Sequence, residues 1–126
     1  MDFEHAVLLA LAEGYKPKEI ARMLKVRYED VESALRSLEA KGFVKRRVEG
    51  FIFKREVFVL TREGFEKVKE LKKELEKLSH EIREKPILIN EFGYLIPLMV
   101  TLGLIDLAIL EEFDEYDFIE DFDFDF

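Results

Sequence analysis

The sequence predicts a mainly α-helical protein with one small β-hairpin, and three observations carry that prediction. Apolar residues recur at three- and four-residue spacing through each segment before Gly42. Two short runs rich in β-branched and aromatic residues follow, joined around Glu49-Gly50. A single narrow apolar stripe then runs from Val68 to Ile82. With 126 residues, 48% of them hydrophobic, the chain can bury one compact core with appendages.

Each element has its own signals. Phe3 to Glu13 places Ala6, Val7, Ala10 and Leu11 on one helical face, and Gly14 supplies a stop. Lys16-Pro17 restarts the chain, since proline suits the first turn of a helix, and this second helix turns Ile20, Ala21, Leu24 and Val26 inward. After a turn near Val26 to Tyr28, a third helix over Glu29 to Ala40 carries Val31, Ala34, Leu35 and Leu38 at the same period and ends at Gly42. Phe43 to Val48 and Phe51 to Leu60 read as the two strands of the hairpin.

From Glu63 to Arg83 the apolar positions Val68, Leu71, Leu75, Leu78 and Ile82 alternate steps of three and four, flanked by Lys and Glu. This is a heptad seam, and a single narrow stripe suits pairing with another helix, a second copy being the favoured partner and packing on its own domain the alternative. Pro86 interrupts the helix. The domain layout expected is therefore a helix-and-hairpin domain over 1–64, a dimerisation helix over 65–85, an apolar segment over 86–112 and an acidic-aromatic tail over 113–126.

Three helices and a hairpin in this order, with KPKEIARMLKV and RYEDVESALRSLEAKGFVKR, resemble the winged helix-turn-helix family, in particular MarR-like and related archaeal regulators. Glu19-Ile20-Ala21 with Leu24 is similar to the family's EIA..L pattern in the first helix of the motif. Val31, Leu35, Leu38 and Gly42-Phe43-Val44 are similar to the pattern of the second, and Leu60-Thr61-Arg62-Glu63-Gly64 to the step that closes the wing. The resemblance covers about residues 3–80 and implies a DNA-binding transcription regulator, with double-stranded DNA and a second copy of the chain as partners. It also implies a recognition helix reading the major groove from its first turns, through Arg27, Tyr28, Ser33 and Arg36. Glu29, Asp30 and Glu32 make that helix poorer in positive charge than a typical reader. The hairpin is richer: Lys45, Arg46 and Arg47 on one arm and Lys54 and Arg55 on the other are placed to neutralise backbone phosphate.

Charge divides along the chain. Residues 1–85 hold 20 basic and 17 acidic side chains, net +3, whereas residues 86–126 hold none and 11, net −11. The segment ILINEFGYLIPLMVTLGLIDLAIL is the most apolar in the protein, and Phe92 to Leu110 approaches the ~20 residues that span a bilayer. Gly93, Pro97, Gly103 and Asp106 interrupt it, so burial in a dimer or against a partner is the preferred expectation and a membrane-anchored regulator the lesser one. The closing DFDFDF would place Asp121, Asp123 and Asp125 on one face of an extended strand and Phe122, Phe124 and Phe126 on the other. With Phe118, these rings are candidates for docking on apolar surface while the carboxylates imitate a row of phosphates before the cationic wing. The tail is thus expected to restrain DNA binding or to recruit a basic protein. The alternative function is an interaction module that binds such a protein through the acidic third helix and the tail.

Catalysis finds no support. Ser79-His80-Glu81 are consecutive on a helix, so their side chains diverge. Asp121, Asp123 and Asp125 imitate the start of a calcium loop that lacks its Gly and final Glu, so neither metal nor cofactor is expected. The absence of cysteine and of a basic secretory leader predicts a cytoplasmic protein. The 38% charged residues, with no Trp, fit a thermophile-like composition.

Overall fold

The computed structural model describes residues 1–105. Helix α1 (Phe3–Ala12), α2 (Pro17–Leu24) and α3 (Tyr28–Ala40) precede an antiparallel hairpin of β1 (Val44–Glu49) and β2 (Arg55–Leu60). The long helix α4 (Arg62–Glu84) follows, then a 3-10 turn (Pro86–Leu88), α5 (Ile89–Phe92), a second 3-10 turn (Gly93–Leu95) and α6 (Ile96–Thr101).

Local chemistry explains the boundaries. Asp2 caps α1, its carboxylate accepting the His5 N–H at 3.0 Å. The Glu19 carboxylate reaches back to accept the Lys16 N–H at 2.8 Å, and Asp30 does the same for Arg27 at 3.2 Å, so both helices of the helix-turn-helix satisfy an amide just outside their first turns. Asp30 also accepts two hydrogen bonds from the Arg27 guanidinium, which hold its carboxyl below the usual range. Between the two helices Lys25 takes the left-handed conformation at φ 57°, ending α2 so that Val26 falls in the turn, half-buried, rather than in the helix.

Helix α1 departs from expectation. One buried face was predicted, but Ala6, Val7, Leu8, Leu9 and Ala10 are all fully buried, while Leu11 is only half-buried. A helix that is apolar on every side is stable only inside a core. Helices α2, α3, α4 and α6 and strand β2 all contact it. Its end is tied to α3 by Lys41, whose ammonium lies 2.7 Å from Glu4 and lowers the pKa of that carboxyl.

The seam of α4 is filled from within the chain, which corrects its assignment to a second copy. Val68, Leu71, Leu75 and Ile82 are at most 5% exposed, and Leu78 is half-buried beside them. They belong to the same apolar cluster as α1 and the segment after Pro86. Side chains already covered by their own chain present no seam to a partner. Within the described part of the apolar segment, where burial in a dimer or against a partner was expected, Ile89, Leu95, Ile96, Leu98, Met99 and Ile105 are buried in the same cluster as α1 and α4. No helix among the described residues is long and apolar enough to cross a membrane. Ser79 is buried and donates its hydroxyl to the Glu76 carbonyl at 2.6 Å, whereas His80 and Glu81 face outward, so the three diverge as helical spacing requires.

One residue pair sets the wing against the helices. Thr61 caps α4 by accepting the Gly64 N–H at 3.0 Å, and its hydroxyl donates to the Gly42 carbonyl at 2.6 Å. Gly64 then packs on the backbone of Phe43 so closely that an added Cβ would sit 2.0 Å from that carbonyl oxygen. Gly64→Ala is therefore expected to push α4 away from the base of the hairpin and to cost about 1–3 kcal/mol. Chemical denaturation measures this, and an unchanged midpoint would refute the contact.

Candidate nucleic-acid interface

Pairing of the strands runs Val44 with Leu60, Lys45 with Val59, Arg46 with Phe58, Arg47 with Val57, Val48 with Glu56 and Glu49 with Arg55. Alternation then sorts the side chains into two faces. Val44 is buried, and Phe58 and Leu60 pack on the core, so the face they share with Arg46 turns inward at its base. Lys45, Arg47 and Arg55 share the outer face with Val57 and Val59.

The five predicted cations of the wing are not equivalent. The Arg46 guanidinium lies over the Phe58 ring at 5.2 Å and pairs with Glu39 of α3 at 3.2 Å and Glu56 at 3.6 Å. Arg47 meets Glu49 at 2.7 Å, a contact that holds the Glu49 carboxyl below its usual range. Lys45, Lys54 and Arg55 are exposed and have no ion-pair partner within 4.0 Å among the described residues. Exposed pairs are worth at most about 1 kcal/mol, so Arg46 and Arg47 can exchange partners, but a phosphate must then compete with a carboxylate already in place. Sequence reasoning ranked all five alike because the pairing depends on strand register and on Glu39, seven residues upstream of Arg46.

On α3 the predicted readers lie on the outer surface. Arg27, Tyr28, Ser33 and Arg36 are exposed, and Tyr28 remains 38% accessible. Arg27 is engaged by Asp30, while Arg36 donates to the Ser33 hydroxyl at 3.3 Å and has no ion-pair partner among the described residues. The tail-docking residues Phe118, Phe122, Phe124 and Phe126 lie outside the described residues.

The hairpin loop differs most from expectation. The second strand begins at Arg55, not Phe51, leaving residues 50–54 as a five-residue loop. Gly50 adopts φ +104°, and a Cβ there would meet the Phe53 carbonyl oxygen at 2.1 Å, so the chain folds back at once. Local turn chemistry overrides the strand propensity of Phe-Ile-Phe, and the tip is left unpaired. Phe51, Ile52 and Phe53 are 97%, 80% and 87% exposed. Sequence reasoning missed them because an apolar aromatic run reads as a strand.

A helix-turn-helix of α2 and α3, preceded by a buried α1 and followed by a two-stranded wing, defines a winged helix-turn-helix protein. Its residues 2–61 match the family model described as the sugar-specific transcriptional regulator TrmB. The fold is similar to that of MepR from Staphylococcus aureus, a transcription regulator of the multidrug efflux pump MepA. The two share 19% identity over 81% of this chain and 80% of that one, with a TM-score of 0.50. A MepR point mutant from the same organism superposes at 0.51 with the same identity and coverage. Curated protein sequences show no match.

Proposed function

We propose that the protein binds double-stranded DNA as a winged-helix transcription regulator, with the wing making the phosphate contacts and the first turns of α3 presented to the major groove. The observation that carries this reading is the set of Lys45, Lys54 and Arg55, three exposed cations with no carboxylate within 4.0 Å among the described residues. Cations so placed attract phosphate and release counterions, which supports affinity without base specificity. Fluorescence anisotropy on unrelated duplexes between 50 and 200 mM salt tests it. The expected plot of log affinity against log salt has a slope of about −3 or steeper. Binding that is absent or insensitive to salt overturns the reading.

The acidic tail completes the proposal as a restraint on the wing. Ile105 lies beside the C-terminal end of α4, where Arg83 donates to the Leu104 carbonyl, while the wing sits at the other end of that helix. The helix of 23 residues is about 35 Å long, and the 21 residues beyond Ile105 can span roughly 70 Å, so length permits the tail to reach back. Truncation after Glu112 removes seven acids, from Asp114 to Asp125, and is expected to raise DNA affinity. Unchanged affinity favours recruitment of a basic protein instead, a reading that the carboxylates Glu29 and Glu32 on α3 also support. Homodimerisation remains part of the proposal, using surface other than the seam, and sedimentation equilibrium reports it directly.

A further inference from the structure

The wing tip is an anomaly on a charged surface. Phe51, Ile52 and Phe53 are each at least 80% exposed, and apolar side chains left in water at the end of a hairpin gain nothing unless something covers them. The tip also folds back tightly, since a Cβ at Gly50 would meet the Phe53 carbonyl oxygen at 2.1 Å. From Gly50 to Arg55 the sequence GFIFKR holds two cations and no acid. The chemistry that would cover such a tip is apolar at its centre and anionic at its sides.

We propose that the wing tip is a wedge that enters a groove of duplex DNA and partly unstacks a base step, with Phe51, Ile52 or Phe53 against the bases and Lys54 and Arg55 on the flanking phosphates. This rests on the DNA-binding reading above and deepens it. A two-stranded ribbon with its side chains is too broad for the minor groove, which is about 6 Å wide, so it is the turn alone, with one or two apolar side chains, that would enter there. Phe and Ile are among the side chains that architectural proteins insert between base steps, kinking the duplex. An apolar contact of this kind releases no counterion. Its loss must therefore lower affinity without changing the salt slope, unlike the loss of a cation.

The test uses the full chain with Phe51→Ser, Ile52→Ser and Phe53→Ser combined; these exposed positions contribute little to folding, which a thermal melt verifies. The probe is a duplex carrying 2-aminopurine at a pyrimidine–purine step. Wild type is expected to raise its fluorescence by unstacking, and the variant to abolish that rise, to bind about tenfold more weakly and to keep the wild-type salt slope. Equal affinity in the two proteins, or no fluorescence rise with wild type, overturns the wedge while leaving DNA binding intact. Failure of wild type to bind any duplex removes the underlying reading as well, and is seen before any variant is made. A variant that loses self-association or binding to anionic vesicles at unchanged DNA affinity assigns the tip to a second copy or to lipid, and so overturns the proposal.

Discussion

Leu75→Glu is expected to unfold the protein, not to separate a dimer into folded monomers. Leu75 is fully buried within its own chain, in the apolar cluster that joins α4 to α1 and to the segment after Pro86. Truncating such a leucine to alanine already costs about 2–5 kcal/mol, and glutamate adds the burial of an unpaired carboxylate. Against a total stability of roughly 5–15 kcal/mol, the loss consumes much or all of the margin. A thermal melt is expected to shift down by about 15 °C or more, or to show no cooperative transition at all. Leu78→Glu, at a half-buried position on the same helix, is expected to cost less. If Leu75→Glu instead melts at the wild-type temperature and only its solution mass falls, the seam belongs between subunits and the internal packing described here is wrong.

Replacing Lys45, Lys54 and Arg55 together with alanine is expected to flatten the salt dependence of DNA binding by about three units and to weaken binding roughly 100- to 1,000-fold near 0.1 M salt. The loss should fall alike on all duplexes, since phosphate contacts carry no base information. Replacing Arg46 and Arg47 is expected to change the slope less, because Glu39, Glu56 and Glu49 already hold those side chains. Arg46→Ala carries a second, structural effect: it removes the guanidinium from Phe58 and frees Glu39 at the junction of wing and α3. A slope that responds equally to both sets would show that the internal carboxylates yield freely to phosphate.

Much of the architecture was legible because it rests on short-range chemistry. Pro17 at the start of α2, Gly42 after α3, Thr61 capping α4 and Pro86 beyond it act within a turn or two of their own positions. The short helices α5 and α6 after Pro86 were not read from the sequence, but through α4 apolar period placed helices and strands within one or two residues at most boundaries. The exception was the start of β2, where the sequence offers two competing local signals, Gly50 for a turn and Phe-Ile-Phe for a strand. The closure of Gly50 against the Phe53 carbonyl decides between them only once both ends of the loop are in place.

The sequence by itself determined the order of three helices, a hairpin and a long helix, and the division between a basic body and an acidic end, since each is written in local pattern or in simple counting of charge, while the helix-turn-helix with its wing followed from family resemblance. Only the tertiary structure decided what each apolar face meets and which cations are paired among the described residues. A period of three and four states that a stripe must be covered but not by which surface. On α4 the cover comes from α1 and the segment after Pro86, tens of residues away in sequence. The same holds for Arg46, whose partners Glu39 and Glu56 reach it from another helix and the opposite strand. Packing and pairing are relations between distant segments, and the close fit of a folded core settles them where local propensity leaves several partners equally acceptable.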